Sequence, residues 1–249
     1  MTHDEPPSST EVPHPTQWPL HRLRGPAQRL IRRRYDVRLH QTERIPAEGP
    51  VIFAANHLGV LDGPLLAIFG PRPVHALTKI EMFEGRVGRF LRFAGQIPLE
   101  RYAVDPYAIR MSLRVLRDGN AVGVFPEGTR GDGELRRFHH GAAYLALVSG
   151  APVVPVTFFG TREPGGGINS TPARGSRLDL VYGTPVTIDA RPWPRTRGMV
   201  RETSALLLER TRATLTEAIA LTGRSLPGPL PPGEIEDDPD TGFVDEGAR

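Results

Sequence analysis

The sequence predicts an α/β layer fold: a single domain on a largely parallel mixed sheet flanked by helices. Three observations carry that expectation. Apolar runs alternate with segments of helical period from about residue 50 to residue 222, the pattern of layered α/β domains. Several runs, such as Val51-Ile52-Phe53-Ala54-Ala55 and Val153-Val154-Pro155-Val156, are apolar without alternation, which suits strands covered on both faces. The 249 residues contain no internal linker and no repeat, and that length suits one large core.

The elements follow in chain order. Residues 1–17 are rich in Pro, Ser, Thr and acid and are expected to be a disordered tail, because they bury too little apolar surface to offset ordering. Residues 18–38 carry Arg22, Arg24, Arg29, Arg32, Arg33, Arg34 and Arg38 with Trp18, Leu20, Leu23, Leu30, Ile31 and Tyr35 interleaved. This is either a basic helix docked on the core or an amphipathic segment that lies on an anionic membrane. Strands are expected at 51–55, 74–78, 96–99, 121–125, 153–158 and 178–182. Pro155 marks an edge or a bulge, since it has no N–H to give a central ladder. Helices are expected at 62–69, which Asp62 would cap, at 86–94, at 106–117, at 140–149 and at 199–222. The third has the clearest signature: Asp105 at the cap, Pro106 at the first position and Gly119 past the end. Residues 226–249 begin Leu-Pro-Gly-Pro-Leu-Pro-Pro-Gly and turn acidic, and are expected to be a second disordered tail. The domain therefore spans 18–225.

Composition excludes several chemistries. There is no cysteine, so disulfides, thiolate metal sites and cysteine nucleophiles are excluded. Lys79 is the only lysine among 31 basic residues. The formal net charge is +3, and both tails are acidic, so the core is more basic than the total. No nucleic-acid-binding motif accompanies that charge, and no nucleic-acid partner is expected. No apolar run approaches the ~20 residues of a membrane span, and the N-terminus has no apolar region of a signal peptide.

Two polar turns that follow apolar runs are the candidate site. In Asn56-His57-Leu58-Gly59-Val60-Leu61-Asp62, His57 and Asp62 stand five residues apart. On one helix they would lie about 140° apart and not meet. In a turn that enters a helix at Asp62 they meet, and the carboxylate then leaves one imidazole nitrogen as a base. The plainer reading is a histidine at a strand end and an aspartate capping a helix. In Phe125-Pro126-Glu127-Gly128-Thr129-Arg130, Gly128 permits a sharp turn and Arg130 offers a fork that matches phosphate. Thr129 and nearby amides add donors, and Glu127 binds a substrate hydroxyl or orients Arg130. The plainer reading is a turn with a surface ion pair. Arg101 follows the strand at 96–99, and Lys79 follows the strand at 74–78. His139 and His140 lack ligand spacing to other candidates, and His75 reads as a satisfied core histidine.

Asn56-His57-x4-Asp62, Gly95 to Arg101, Phe125 to Arg130 and Ala151-Pro152-Val153-Val154-Pro155-Val156 resemble, in order, the four blocks of the glycerolipid acyltransferases. The nearest resemblance is to the 1-acylglycerol-3-phosphate acyltransferases. It implies transfer of a fatty acyl group from a thioester of CoA or acyl carrier protein to the sn-2 hydroxyl of lysophosphatidate, giving phosphatidate. It implies His57 as general base and Asp62 as its orienting partner. Arg101, Glu127, Gly128, Thr129 and Arg130 would hold the glycerol phosphate head. No cofactor or metal is implied beyond the acyl-CoA or acyl carrier protein co-substrate. The 18–38 stretch resembles the family's N-terminal membrane-docking helices, which implies a peripheral protein on the cytoplasmic face of an anionic membrane. Three positions depart from the family pattern: Gly59 stands where a serine is usual, Pro98 where an aromatic is usual, and His139 where a lysine is frequent. They bear on the acceptor, so O- or N-acylation of another lysophospholipid, a glycolipid or an amine-bearing lipid stays open. A catalytically silent lipid-binding module and a thioester hydrolase are the readings from other classes.

Overall fold

The structure, a computed structural model, describes residues 11–234 and 241–245. Two short helices open it, α1 (Trp18–Arg22) and α2 (Arg24–Arg32), followed by β1 (Asp36–His40). The central run is β2 (Val51–Ala55), α3 (Asp62–Phe69), β3 (Val74–Lys79), α4 (Gly85–Phe93), β4 (Ile97–Leu99), α5 (Pro106–Arg117) and β5 (Ala121–Val124). Then come β6 (Arg137–His139), α6 (Gly141–Ser149), β7 (Val153–Phe159), β8 (Arg177–Tyr182), α7 (Arg197–Thr222) and β9 (Phe243–Asp245).

Seven strands form one sheet in the order β1-β8-β7-β2-β5-β3-β4. Strands β7, β2, β5, β3 and β4 are parallel to one another, and β8 runs antiparallel to β7 with β1 parallel to β8. The mixed, largely parallel α/β sheet expected from the alternating pattern is therefore the fold. Strand β2 is buried along its whole length because both of its faces are covered. Ile52 and Ala54 face a core built with α5, α6 and α7, while Val51, Phe53 and Ala55 face one built with α3. The chain leaves neighbouring strands β2 and β5 toward opposite faces, into α3 and toward α6. That divergence is a topological switch point, where a crevice opens at the carboxyl ends of the strands.

Local signals explain several boundaries. The Asp105 carboxylate accepts from the amides of Tyr107 and Ala108 at 2.9 and 3.0 Å, the cap expected of that sequence. Pro155 lies on an interior strand, so the edge is ruled out and the bulge is what occurs. Val156 lies opposite Tyr182, but Val153, three residues earlier, lies opposite Val186, four residues later. The extra residue interrupts the ladder on the β8 side, where the Gly183 amide reaches the Pro155 carbonyl at 2.8 Å.

The expected segment 18–38 divides into two helices and an edge strand. Val37 and Leu39 alternate with charged residues, a period of two that builds β1. The tails also depart from the disorder expected of 1–17 and 226–249. Val12 and Val244 are buried in the larger core, and Phe243–Asp245 pair antiparallel with Arg137–His139. A single apolar anchor and a few backbone hydrogen bonds hold a polar segment that has no core of its own. Residues 1–10, 235–240 and 246–249 lie outside the described residues.

Candidate active site

The chain leaves β2 at Ala55 and reaches α3 at Asp62 through a tight turn that carries His57. Asp62 is the first residue of α3, but its carboxylate does not cap that helix. It turns back instead. Asp62 Oδ2 lies 2.8 Å from His57 Nδ1 and accepts from the amides of Leu58 at 2.6 Å and Gly59 at 2.9 Å. One carboxylate oxygen thus organises the whole turn, and the helix dipole at its N-terminus favours that negative charge. The Asp62 side chain is fully enclosed, while that of His57 is 20 % exposed. With Nδ1 donating to Asp62, Nε2 faces outward and makes no hydrogen bond among the described residues. The Phe125 ring stacks on the imidazole, with centroids 4.3 Å apart. His57 and Asp62 therefore meet in the turn-and-helix geometry rather than lying apart on one helix.

The second turn stands beside the first because β5 is the parallel neighbour of β2, with Val124 opposite Ala54. Gly128 adopts a φ of 75°, a conformation open to glycine, and closes the turn onto the Phe125 carbonyl. Both backbone groups of His57 are held from this turn. Its N–H donates to Glu127 Oε1 at 2.8 Å, and its carbonyl accepts from the Gly131 amide at 2.9 Å. Glu127, expected to bind the acceptor or to orient Arg130, engages the backbone of the histidine, because the parallel register of β2 and β5 sets the two turns side by side. Burial pushes its carboxyl up to about 8, opposed by the His57 hydrogen bond.

Arg101 and Arg130 both reach this end of the sheet. Arg101 Nη1 donates to the Gly128 carbonyl at 2.9 Å, so the residue after β4 is brought to the second turn. Arg130 Nη1 donates to the Ile168 carbonyl at 3.0 Å and to Asn169 Oδ1 at 3.1 Å, in the loop after β7. Gly128 and Thr129 are half-buried between them. Lys79 closes β3 at the same end. Of the other histidines singled out in the sequence, His139 flanks the second turn, its amide donating to the Pro126 carbonyl at 2.8 Å. His140 Nδ1 is 2.9 Å from Ser204 Oγ, and His75 is buried with Nδ1 2.6 Å from the Gly95 carbonyl. Burial lowers His75 to about 4. Among the described residues no group of three or more His, Cys, Asp and Glu is placed to hold a metal ion.

Three contributors were not legible in the sequence. Asn56 is fully buried and pairs with both backbone groups of Phe158, accepting at 2.7 Å and donating at 3.3 Å, which extends β2 by a side chain. Phe125 supplies the stacking surface. Arg162, 1 % exposed, donates to four backbone carbonyls around the turns. Only Asn56, adjacent to the histidine, carried a positional hint; one arginine among many carried none. The glycine at position 59 also has a reason here. A Cβ on Gly59 would lie 2.7 Å from the Thr161 carbonyl oxygen, so no side chain fits without moving that backbone.

Comparison with known proteins agrees with this architecture. Residues 36–159 match the family model described as Acyltransferase. The 1-acyl-sn-glycerol-3-phosphate acyltransferase of Bacillus subtilis is 29% identical over 161 residues, covering 63% of this chain and 77% of that protein. The enzyme of that name from Borreliella burgdorferi is 33% identical over 131 residues, 49% of this chain and 50% of the relative. The human 1-acyl-sn-glycerol-3-phosphate acyltransferase beta is 31% identical over 130 residues, 50% of this chain and 46% of the relative. The chain thus spans half or less of the length of the last two. The crystal structure of the 1-acyl-sn-glycerophosphate acyltransferase PlsC from Thermotoga maritima superposes with a TM-score of 0.59 at 22% identity, covering 81% of this chain and 80% of that one. That likeness is one of fold. The α/β sheet, the matched segment that holds both polar turns, and the named relatives converge: the chain belongs to the acyltransferase family, a family of enzymes.

Proposed function

We propose that this protein transfers a fatty acyl group from acyl-CoA or acyl carrier protein to the sn-2 hydroxyl of lysophosphatidate, forming phosphatidate. The observation that carries the proposal is the His57–Asp62 pair, with Nε2 directed outward in the crevice beside a turn bearing arginine. His57 Nε2 takes the proton from the acceptor hydroxyl as its oxygen attacks the thioester carbonyl carbon. The fixed Asp62 charge stabilises the imidazolium. As the tetrahedral intermediate collapses, the C–S bond breaks and the leaving thiolate takes the proton back from His57. No protein nucleophile takes part, which agrees with a chain that has no cysteine. Arg130, aided by Arg101, Thr129 and the Gly128 backbone, holds the phosphate, and Glu127 serves the base by holding its backbone. The names of the relatives support this acceptor.

The N-terminal helices support an anionic membrane as partner. Helix α2 buries no residue. It is fastened by polar groups, with Arg24 donating to the Ile68 and Gly70 carbonyls and Gln28 to Ile68. Leu23 and Leu30 point outward, 41% and 66% exposed, and Trp18 meets Phe93 of α4, whose Phe90 and Val87 are also exposed. Among the described residues no helix is long and apolar enough to cross a membrane, and attachment is proposed as peripheral.

The test is acyl transfer from a long-chain acyl-CoA, and separately from acyl carrier protein, to lysophosphatidate, with native, His57→Ala and Arg130→Ala chains side by side. Phosphatidate from the native chain, none from His57→Ala and a raised KM for the acceptor in Arg130→Ala are expected. Absence of product from the native chain with both donors would reject the reading. Product with a phosphate-free lipid acceptor at equal efficiency would move it to the alternative acceptors.

A further inference from the structure

We infer that Arg162 is a positioning residue for the His57 turn. The inference rests on the transferase reading for its consequence but not for its geometry. Arg162 is one of the most enclosed charged residues among those described, 1 % exposed. Its Nε donates to the Leu58 carbonyl at 3.1 Å and Nη1 to Gly166 at 3.1 Å. Its Nη2 donates to Gly131 at 3.0 Å and to Gly228 at 2.5 Å. These carbonyls belong to four separate stretches: the turns after β2, β5 and β7, and the segment beyond α7.

The choice of partners matters more than their number. Leu58 directly follows His57 and donates its own amide to Asp62. Gly131 is the residue whose amide holds the His57 carbonyl. Arg162 therefore holds the residue that follows the base and the residue whose amide holds the base's carbonyl. The segment beyond α7 joins this grip twice: Gly228 accepts from Arg162, and Glu234 accepts from the Ile168 amide at 2.5 Å in the loop that holds Arg130. A stretch expected to be a disordered tail thus braces both the base and the proposed clamp.

An arginine suits this place. Its planar fork presents donors in several fixed directions at once, which an ammonium on a flexible stem does not. Burying the charge is costly unless it is well bonded. Four carbonyl acceptors meet that need, and Asp62, Asp132 and Glu234 add favourable charge around it. The close approach of Thr161 and Arg162 to Gly59 also excludes a side chain at position 59. The glycine and the arginine form one local solution.

The experiment compares full-length native and Arg162→Lys chains by steady-state acyl transfer and by hydrogen exchange of individual segments. Lysine keeps the charge and loses the fork. Since displacement of a catalytic group by about 1 Å costs on the order of a hundredfold, kcat is expected to fall by about 10- to 100-fold. KM for the acceptor should stay within about twofold. Amide exchange at residues 57–59 and 131 is expected to accelerate by at least about tenfold while β2, β5 and β7 stay protected. Unchanged kcat and unchanged exchange at 57–59 would overturn the inference. General loss of protection would also overturn it, by making Arg162 a determinant of the whole fold. Exchange needs no substrate, so it decides the question even if the native chain transfers no acyl group.

Discussion

Replacing Asp62 by Asn keeps the size of the side chain and removes its charge. Oδ2 of Asp62 receives three donors, from His57 Nδ1, Leu58 and Gly59, at 2.6 to 2.9 Å, while Oδ1 is buried with no hydrogen-bond partner among the described residues. An asparagine oxygen at the Oδ2 position preserves all three as neutral bonds, and its amide group then sits unanswered at Oδ1. Exchanging charge-assisted for neutral bonds costs about 1–3 kcal/mol of stability, or roughly 2–10 °C in Tm for a domain of this size. The chemical step loses more. A carboxylate and an imidazolium with charge centres about 4 Å apart attract by about 4 kcal/mol at an effective dielectric constant of about 20. Part of that is screened at the half-open imidazole face. At about 1.4 kcal/mol per tenfold, kcat should fall by on the order of 100- to 1000-fold with KM little changed. Release of CoA thiol is the natural assay, because a chain without cysteine contributes no thiol background. A folded Asp62→Asn chain with kcat within about threefold of native would refute the dyad. A change confined to KM would place Asp62 in binding rather than in support of the base.

Two further predictions follow from the geometry. Burial raises Glu127 from 4.5 to about 8, so between those values the folded chain holds a proton that the unfolded chain releases. Stability should fall as pH rises through that window and level off above it. Glu127→Gln removes the titration and keeps an oxygen for the His57 amide, so its stability curve should be flatter and its activity at pH 7 mostly retained. Parallel pH curves for the two chains would contradict this. The outward apolar residues of α1, α2 and α4 predict binding to vesicles that contain anionic lipid, weakening as salt rises. Leu30→Glu with Phe90→Glu should reduce binding at least tenfold, and binding indifferent to salt and to both substitutions would count against a membrane-facing surface.

Much of the fold was legible because its signals are local. The expected strands at 51–55 and 178–182 fall within a residue of β2 and β8, since continuous apolar runs bounded by glycine and polar residues have few other uses. The Asp105-Pro106 helix start is likewise written in adjacent residues. The short elements β1, β6 and β9 were not among the strands expected, although β1 carries a brief alternation. Each is three to five residues long, too short for a period to stand out, and each is paired with a strand distant in sequence. Glu127 stood out in the sequence, but its partner did not. Its partner is a backbone amide 70 residues away, and only the register of β2 against β5 brings the two together.

Sequence alone determined the alternation that builds a parallel sheet, the lack of cysteine, and the two polar turns with their histidine, carboxylates and arginines. These follow from composition and from spacings along the chain, where propensity and period act. Tertiary structure decided how those parts face one another. It folded Asp62 back onto the turn before it, set Glu127 against the His57 amide, tied Arg130 to the loop after β7, and bonded Arg162 to both turns and to the segment beyond α7. The Asp62 bonds span three to five residues, but the others join segments far apart in sequence. In most of them the side chain meets a backbone group that every residue carries, so no pattern of side chains announces the partner.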